Sequence, residues 1–300
     1  MSRIQEILSK AERDGTARRT RALVDDAVAP PPPIPIQGRA STGAAAFDPT
    51  HHAPAWTAAA TAEAVEQQPA RIPTGTLDMH LAAALAPQSL AAEQYRSLRT
   101  RIKRAENGRN VRTIVVTSPN KGDGKSLTAA NLAVTMAQEF QQRVLLVDAD
   151  LRRPAIHKLF GFEEGPGLSD VLMGAAELNQ VFIEVPDYHF TILPAGSLPS
   201  HPAELLGSAA MRRVLDTLRT RFDRVLIDMP PVAPLADLHI VAPMADGLLM
   251  IVRAGVTPKP AIERALAGLD VSKVLGLILN DSGGAGQDAL AYEGYGYIAG

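Results

Sequence analysis

The chain contains no cysteine, which excludes disulfides and thiolate metal sites and fits a reducing compartment. Aromatic residues make up only 4% of it, with Trp56 the sole tryptophan, so platforms for stacking nucleic-acid bases are scarce. Charge of either sign is also lacking in excess. The formal net charge is −2 over 300 residues, which offers no electrostatic basis for binding nucleic acid or an anionic membrane. There is no apolar run of about 18 residues to span a bilayer. The opening Met1-Ser2-Arg3-Ile4-Gln5-Glu6 lacks the apolar core of a signal peptide. The expectation is a soluble, cytoplasmic chain with one large domain or two small ones.

What is present is concentrated in Thr117-Ser118-Pro119-Asn120-Lys121-Gly122-Asp123-Gly124-Lys125-Ser126, which follows the apolar run Ile114-Val115-Val116 and precedes a helix-patterned segment, Leu127 to Gln141. A strand, a glycine-containing loop ending Gly-Lys-Ser and a helix make up a phosphate cradle. Backbone N–H groups of residues 121–127 and the helix N-terminus face the phosphates, Lys125 supplies a point charge, and the Ser126 hydroxyl can ligate Mg²⁺. Pro119 stands where the strict pattern has glycine, but Gly122 and Gly124 still let the backbone curl around an anion.

The chain divides by composition. Residues 1–14 carry a short amphipathic helical pattern, with Ile4, Ile7, Leu8 and Ala11 on one face. Residues 15–75, with Pro30 to Pro33 and much Ala, Thr and Gln, read as a disordered linker. Residues 76–282 read as the globular domain, and 283–300 as a flexible Gly/Tyr tail. Within the domain a helix is expected over 89–105. Strands are expected at 112–117, 143–148, 190–194, 223–228, 246–253 and 273–280, and helices at 126–141, 203–221 and 260–269. Runs such as Val144-Leu145-Leu146-Val147 are apolar without alternation, the mark of strands covered on both faces. The fold class is therefore α/β, a mostly parallel sheet flanked by helices, whose ligands sit at the carboxyl ends of the strands.

Two of those strand ends carry acids. Asp148 and Asp150 follow Leu145-Leu146-Val147, and Asp228 follows Val225-Leu226-Ile227. Carboxylates beside a phosphate loop can hold Mg²⁺ or accept a proton. Alone, each could simply cap the next turn.

These residues carry a resemblance. Asp148-Ala149-Asp150-Leu151-Arg152-Arg153-Pro154 resembles the second Walker motif of bacterial tyrosine kinases, and Val225-Leu226-Ile227-Asp228-Met229-Pro230-Pro231 their Walker B. The segment from Gly196 to Leu206 is similar to their Gly-x-x-Pro-x-x-Pro-x-Glu-Leu-Leu run, and Glu93-x-x-Arg96-x-x-Arg99 to their assembly motif. The resemblance implies a P-loop autokinase of exopolysaccharide export that uses ATP and Mg²⁺. It implies that Lys125 grips phosphates, that Ser126, Asp148 and Asp228 serve the metal, that Asp148 is the base supported by Asp150, and that Asn280 contacts adenine. It further implies a ring of subunits joined through Glu93, Arg96 and Arg99. The implied partners are a separate membrane co-polymerase that recruits and activates the chain at the inner face of the plasma membrane, and a cognate tyrosine phosphatase. Nucleic acid is not an expected partner.

Tyr292, Tyr295 and Tyr297 are three of only five tyrosines, and they follow the Gly-rich stretch 282–287. They are the expected phosphoacceptors, delivered to a neighbour's site. Two other readings remain open: an ATPase that positions cargo, and a nucleotide-binding adaptor without kinase activity. The cargo-positioning ATPases carry a signature lysine five residues before the loop lysine, where this chain has Asn120.

Overall fold

The computed structural model describes residues 70–71, 77–139, 142–188, 190–232 and 237–281. The expected helix at 3–14, most of the 15–75 linker with Trp56, and the tail with Tyr292, Tyr295 and Tyr297 lie outside the described residues.

Strands β1 (Ala70–Arg71), β2 (Thr113–Thr117), β3 (Val144–Asp148), β4 (Ile183–Val185), β5 (Phe190–Leu193), β6 (Arg224–Asp228), β7 (Gly247–Arg253) and β8 (Val274–Asn280) form one sheet in the order β1-β4-β5-β3-β6-β2-β7-β8. All pairs are parallel except β4 with β5. Strands β2 and β3 are buried at every residue, as their unbroken apolar runs require. Successive side chains point to opposite faces, so each strand feeds two cores. Val115, Leu145, Val147, Val225 and Ile227 enter one, and Ile114, Val116, Leu146 and Leu226 the other.

The helices divide between these cores. On one face lie α1 (Ala82–Leu85), α2 (Leu90–Ala105), α3 (Lys125–Ala137) and α4 (Ile156–Phe160). On the other lie α5 (Leu168–Leu172), α6 (Pro202–Leu206), α7 (Ala209–Arg221), α8 (Asp237–Val241) and α9 (Lys259–Ala267). Helix α3 is buried on all sides from Thr128 to Ala137, and its small residues let strands and α2 approach closely. Among the described residues no helix is long and apolar enough to cross a membrane.

Three local expectations change. The single helix expected at 203–221 is two, because the Ser208 hydroxyl accepts the Met211 N–H at 3.2 Å and starts α7 afresh as an N-cap. Within the stretch expected as linker, Ala70 and Arg71 pair in parallel with Ile183 and Glu184. Strand β4 itself is three residues long, too short to carry a period.

Candidate active site

The loop between β2 and α3 owes its curl to two glycines. Gly122 has φ +86° and Gly124, the N-cap of α3, φ +93°, a left-handed region that L-residues with a Cβ rarely adopt. Among the described residues no hydrogen bond engages the N–H groups of Gly122 to Ser126, which leaves them for an anion at the helix start.

Register brings the acids to this loop. Strand β6 lies between β2 and β3, and Asp148 is the direct cross-strand partner of Asp228. Lys125 reaches across from α3, with Nζ 2.9 Å from Asp150 Oδ2, 3.5 Å from Asp228 Oδ1 and 3.1 Å from Ser126 Oγ. Burial lowers the pKa of Lys125, but the Asp228 and Asp150 carboxylates outweigh it and hold the pKa above the ordinary value. Burial first, and then the Asp228 charge, push Asp148 up to about 7. Burial raises Asp228 as well, against the pull of Lys125.

Three buried carboxyls thus face one ammonium, and both Asp228 oxygens lack a hydrogen-bond partner. Uncompensated buried charge is strongly unfavourable. A site with this debt suits a divalent cation. Among the described residues no three acidic or histidine side chains converge to cage a metal by themselves. That fits Mg²⁺, which keeps waters and shares its shell with phosphate oxygens. Asp228 and the Ser126 hydroxyl are the donors best placed for it.

Asp148 also does the structural work of a cap. Its Oδ2 accepts the N–H groups of Ala155 and Ile156, both at 3.0 Å, at the start of α4, while Asp150 Oδ1 accepts that of Arg153 at 3.1 Å. The capping that the sequence left open is therefore present, in a carboxylate that also lies beside Asp228.

Other expected residues are placed as follows. Lys121 is exposed and Leu127 half-buried in the first turn of α3. The Asp123 side chain turns inward, 2% exposed, and takes the Asn120 N–H at 2.9 Å and the Thr257 hydroxyl at 2.7 Å, so only its backbone faces a ligand. Asn280 donates its amide to the Asp123 carbonyl at 3.0 Å, against the loop itself. Glu93 and Arg96 pair within one chain at 2.7 Å, and Arg99 donates to the Thr135 carbonyl of α3 at 2.6 Å.

Three features were not legible locally. Thr257 lies 134 residues from Asp123 and has no motif around it. Arg152 of the second acidic motif forms a two-bond ion pair with buried Asp237, at 2.7 and 3.0 Å, beyond a gap of 85 residues. Gly196 has φ +84°, and a Cβ there would come within 2.3 Å of Asp170 Oδ2, which accepts the N–H groups of Gly167 and Ser197. Only the position of Gly196 in a glycine–proline run hinted at this.

With that geometry in hand, likeness to known proteins becomes informative. A family model described as an AAA domain matches residues 111–259. Tyrosine-protein kinase YwqD of Bacillus subtilis is 38% identical over 213 residues, which cover 70% of this chain and 87% of that protein. The chain belongs to the bacterial tyrosine-protein kinase family. The kinase is 34% identical over 213 residues to tyrosine-protein kinase wzc of Salmonella typhimurium, covering 70% of itself but only 29% of that longer protein. Its fold resembles the kinase domain of Escherichia coli tyrosine kinase ETK, with a TM-score of 0.64 and 31% identity over 67% of the kinase and 79% of that domain. The P-loop architecture expected from the sequence is therefore the fold of a kinase of this family.

Proposed function

We propose that the kinase moves the γ-phosphoryl group of ATP to Tyr292, Tyr295 and Tyr297 of a neighbouring copy, in a ring-like homo-oligomer joined through Glu93, Arg96 and Arg99. The observation that carries this is the convergence of Lys125 on Asp150 and Asp228 beside a loop of open N–H groups.

In this reading Lys125 leaves its carboxylates when nucleotide arrives and tracks the β- and γ-phosphates, while the loop N–H groups hold the phosphate oxygens. Ser126 and Asp228 would hold Mg²⁺, which when bound would supply positive charge to the transferring phosphate. Asp148, kept near neutral pKa by burial and by Asp228, accepts the proton of the incoming tyrosine hydroxyl. The tyrosine oxygen bonds to the γ-phosphorus, the β–γ bridging P–O bond breaks, and ADP carries away the electron pair. The Asn280 amide lies within reach of the loop, consistent with a place near the nucleotide base.

The family likeness supports a role in exopolysaccharide polymerisation and export. It also supports a membrane co-polymerase that recruits the kinase to the inner face of the plasma membrane, and a phosphatase that resets it. The test is incubation of the full chain with Mg·ATP, with and without the cytoplasmic segment of a co-polymerase, followed by mass spectrometry. Phosphotyrosine on the tail in the wild type, and none in Lys125→Met, is expected. No phosphotyrosine in either condition overturns the reading.

A further inference from the structure

The phosphate loop is gripped from the β7–β8 side by groups bonded to the loop itself. Thr257, in the turn after β7, donates its hydroxyl to Asp123 Oδ1 at 2.7 Å and accepts the Arg253 N–H at 2.9 Å. Asp123 Oδ2 takes the Asn120 N–H at 2.9 Å, so one carboxylate ties the two ends of the loop. From the end of β8, the Asn280 amide donates to the Asp123 carbonyl at 3.0 Å. It also lies so close over Gly124 that a Cβ there would meet Asn280 Nδ2 at 2.1 Å.

We propose that Thr257 is a positioning residue for nucleotide binding: it holds the Asp123 carboxylate inside the loop, turned away from the phosphates, with Asn280 fixing the adjoining backbone. The inference rests on the phosphate-loop reading above and adds a residue to it. The physical reason is charge. Asp123 is a carboxylate placed two residues before the lysine that meets a polyphosphate. Turned inward and bonded, it shapes the loop. Deprived of the Thr257 hydroxyl it keeps one of two side-chain partners, and a buried carboxylate short of partners turns toward water. Here that means the mouth of the anion site, where its charge opposes the ligand.

The side chain at 257 therefore needs a hydroxyl and tolerates the loss of its methyl. Thr257→Val keeps shape and removes the donor, and Thr257→Ser keeps the donor. The experiment is calorimetry of full-length protein with a non-hydrolysable ATP analogue and Mg²⁺, together with melting temperature and steady-state phosphorylation. Thr257→Val is expected to raise Kd about tenfold or more, the effect of losing a hydrogen bond to a charged group. The rate at saturating ATP should be nearly unchanged, because the loss falls on binding of ground and transition states alike. Thr257→Ser should bind like wild type. Adding Asp123→Asn to Thr257→Val should recover part of the affinity, since the opposing charge is gone.

Wild-type affinity in Thr257→Val overturns the inference. So does equal weakness in the serine and valine variants, or a fall in melting temperature that accounts for the loss. Lys125→Met measured alongside separates the two levels. If it binds as tightly as wild type, or if wild type binds no nucleotide, the phosphate-loop reading fails and takes this inference with it. If Lys125→Met is weak while Thr257→Val is not, the inference alone fails.

Discussion

Asp228 has no exposed surface, and neither of its oxygens is hydrogen-bonded. A buried carboxylate of this kind suits a charge supplied from outside the chain, and inside it Lys125 at 3.5 Å and the Ser126 side chain compensate it only in part. Lys125→Met removes that ammonium together with its hold on phosphate. Tail phosphorylation is expected to fall about a hundredfold or more, as for loss of a charge aimed at the transferring group, measured as phosphotyrosine per chain. Asp148 gives a second outcome at this scale. Its folded pKa, about 7, lies above the ordinary carboxylate value, so the folded chain holds this proton more tightly than the unfolded one. The stability it contributes is complete below the ordinary carboxylate value and is lost as pH rises through about 7. Asp228 is raised in the same sense. Metal-free kinase should thus melt at a lower temperature at about pH 8 than at about pH 5, and Asp148→Asn should flatten that slope in melting curves recorded with chelator.

Helix α2 carries Arg96, Arg99 and Lys103 along one stripe, at i, i+3 and i+7. Arg99 binds the Thr135 carbonyl and Lys103 pairs with Glu139 at 3.0 Å, pinning α2 along the phosphate-loop helix α3. One turn earlier, half-buried Arg96 pairs with exposed Glu93 of the same helix and donates to the Pro87 carbonyl, an ion pair that the proposed assembly would exchange for a neighbour's. Arg96→Glu is expected to block assembly while leaving the fold intact. Arg99→Ala should weaken assembly and also cost about 1 kcal/mol of stability, because a carbonyl on α3 loses its donor. Sedimentation and denaturant titration, run on both variants, separate these effects. The turn at Gly196 supplies an outcome with no assembly component. Gly196→Ala forces a Cβ into the left-handed region and against Asp170, so a loss of about 1–3 kcal/mol is expected in a urea titration.

At the scale of the whole molecule, the proposed function puts substrate and enzyme in the same chain. Each phosphotyrosine adds roughly −1.5 to −2 charge. Replacing Tyr292, Tyr295 and Tyr297 by Phe should preserve nucleotide affinity in calorimetry and abolish most phosphotyrosine in mass spectrometry. Phosphate appearing instead on half-buried Tyr95 or Tyr188 would show the tail to be a bystander. The loop Gly122–Ser126, the acids 148, 150 and 228, and six of the strands were legible in the sequence. Each is a contiguous run in which local chemistry decides the outcome: apolar residues without alternation, glycine before Lys-Ser, an acid closing a strand. Strand order was not written locally. It took β6 inserting between β2 and β3 to set Asp148 beside Asp228 within reach of Lys125. The inward turn of Asp123 toward Thr257, the pairing of Arg152 with Asp237, and the approach of Asn280 to Gly124 were equally silent. Their partners lie 134, 85 and, through the Asp123 carbonyl, 157 residues apart. Sequence alone settled which chemical groups stand at each strand end, because side-chain type and short-range periodicity act over a few residues. Which of those groups meet was decided only when burial of both sheet faces fixed the order of the strands.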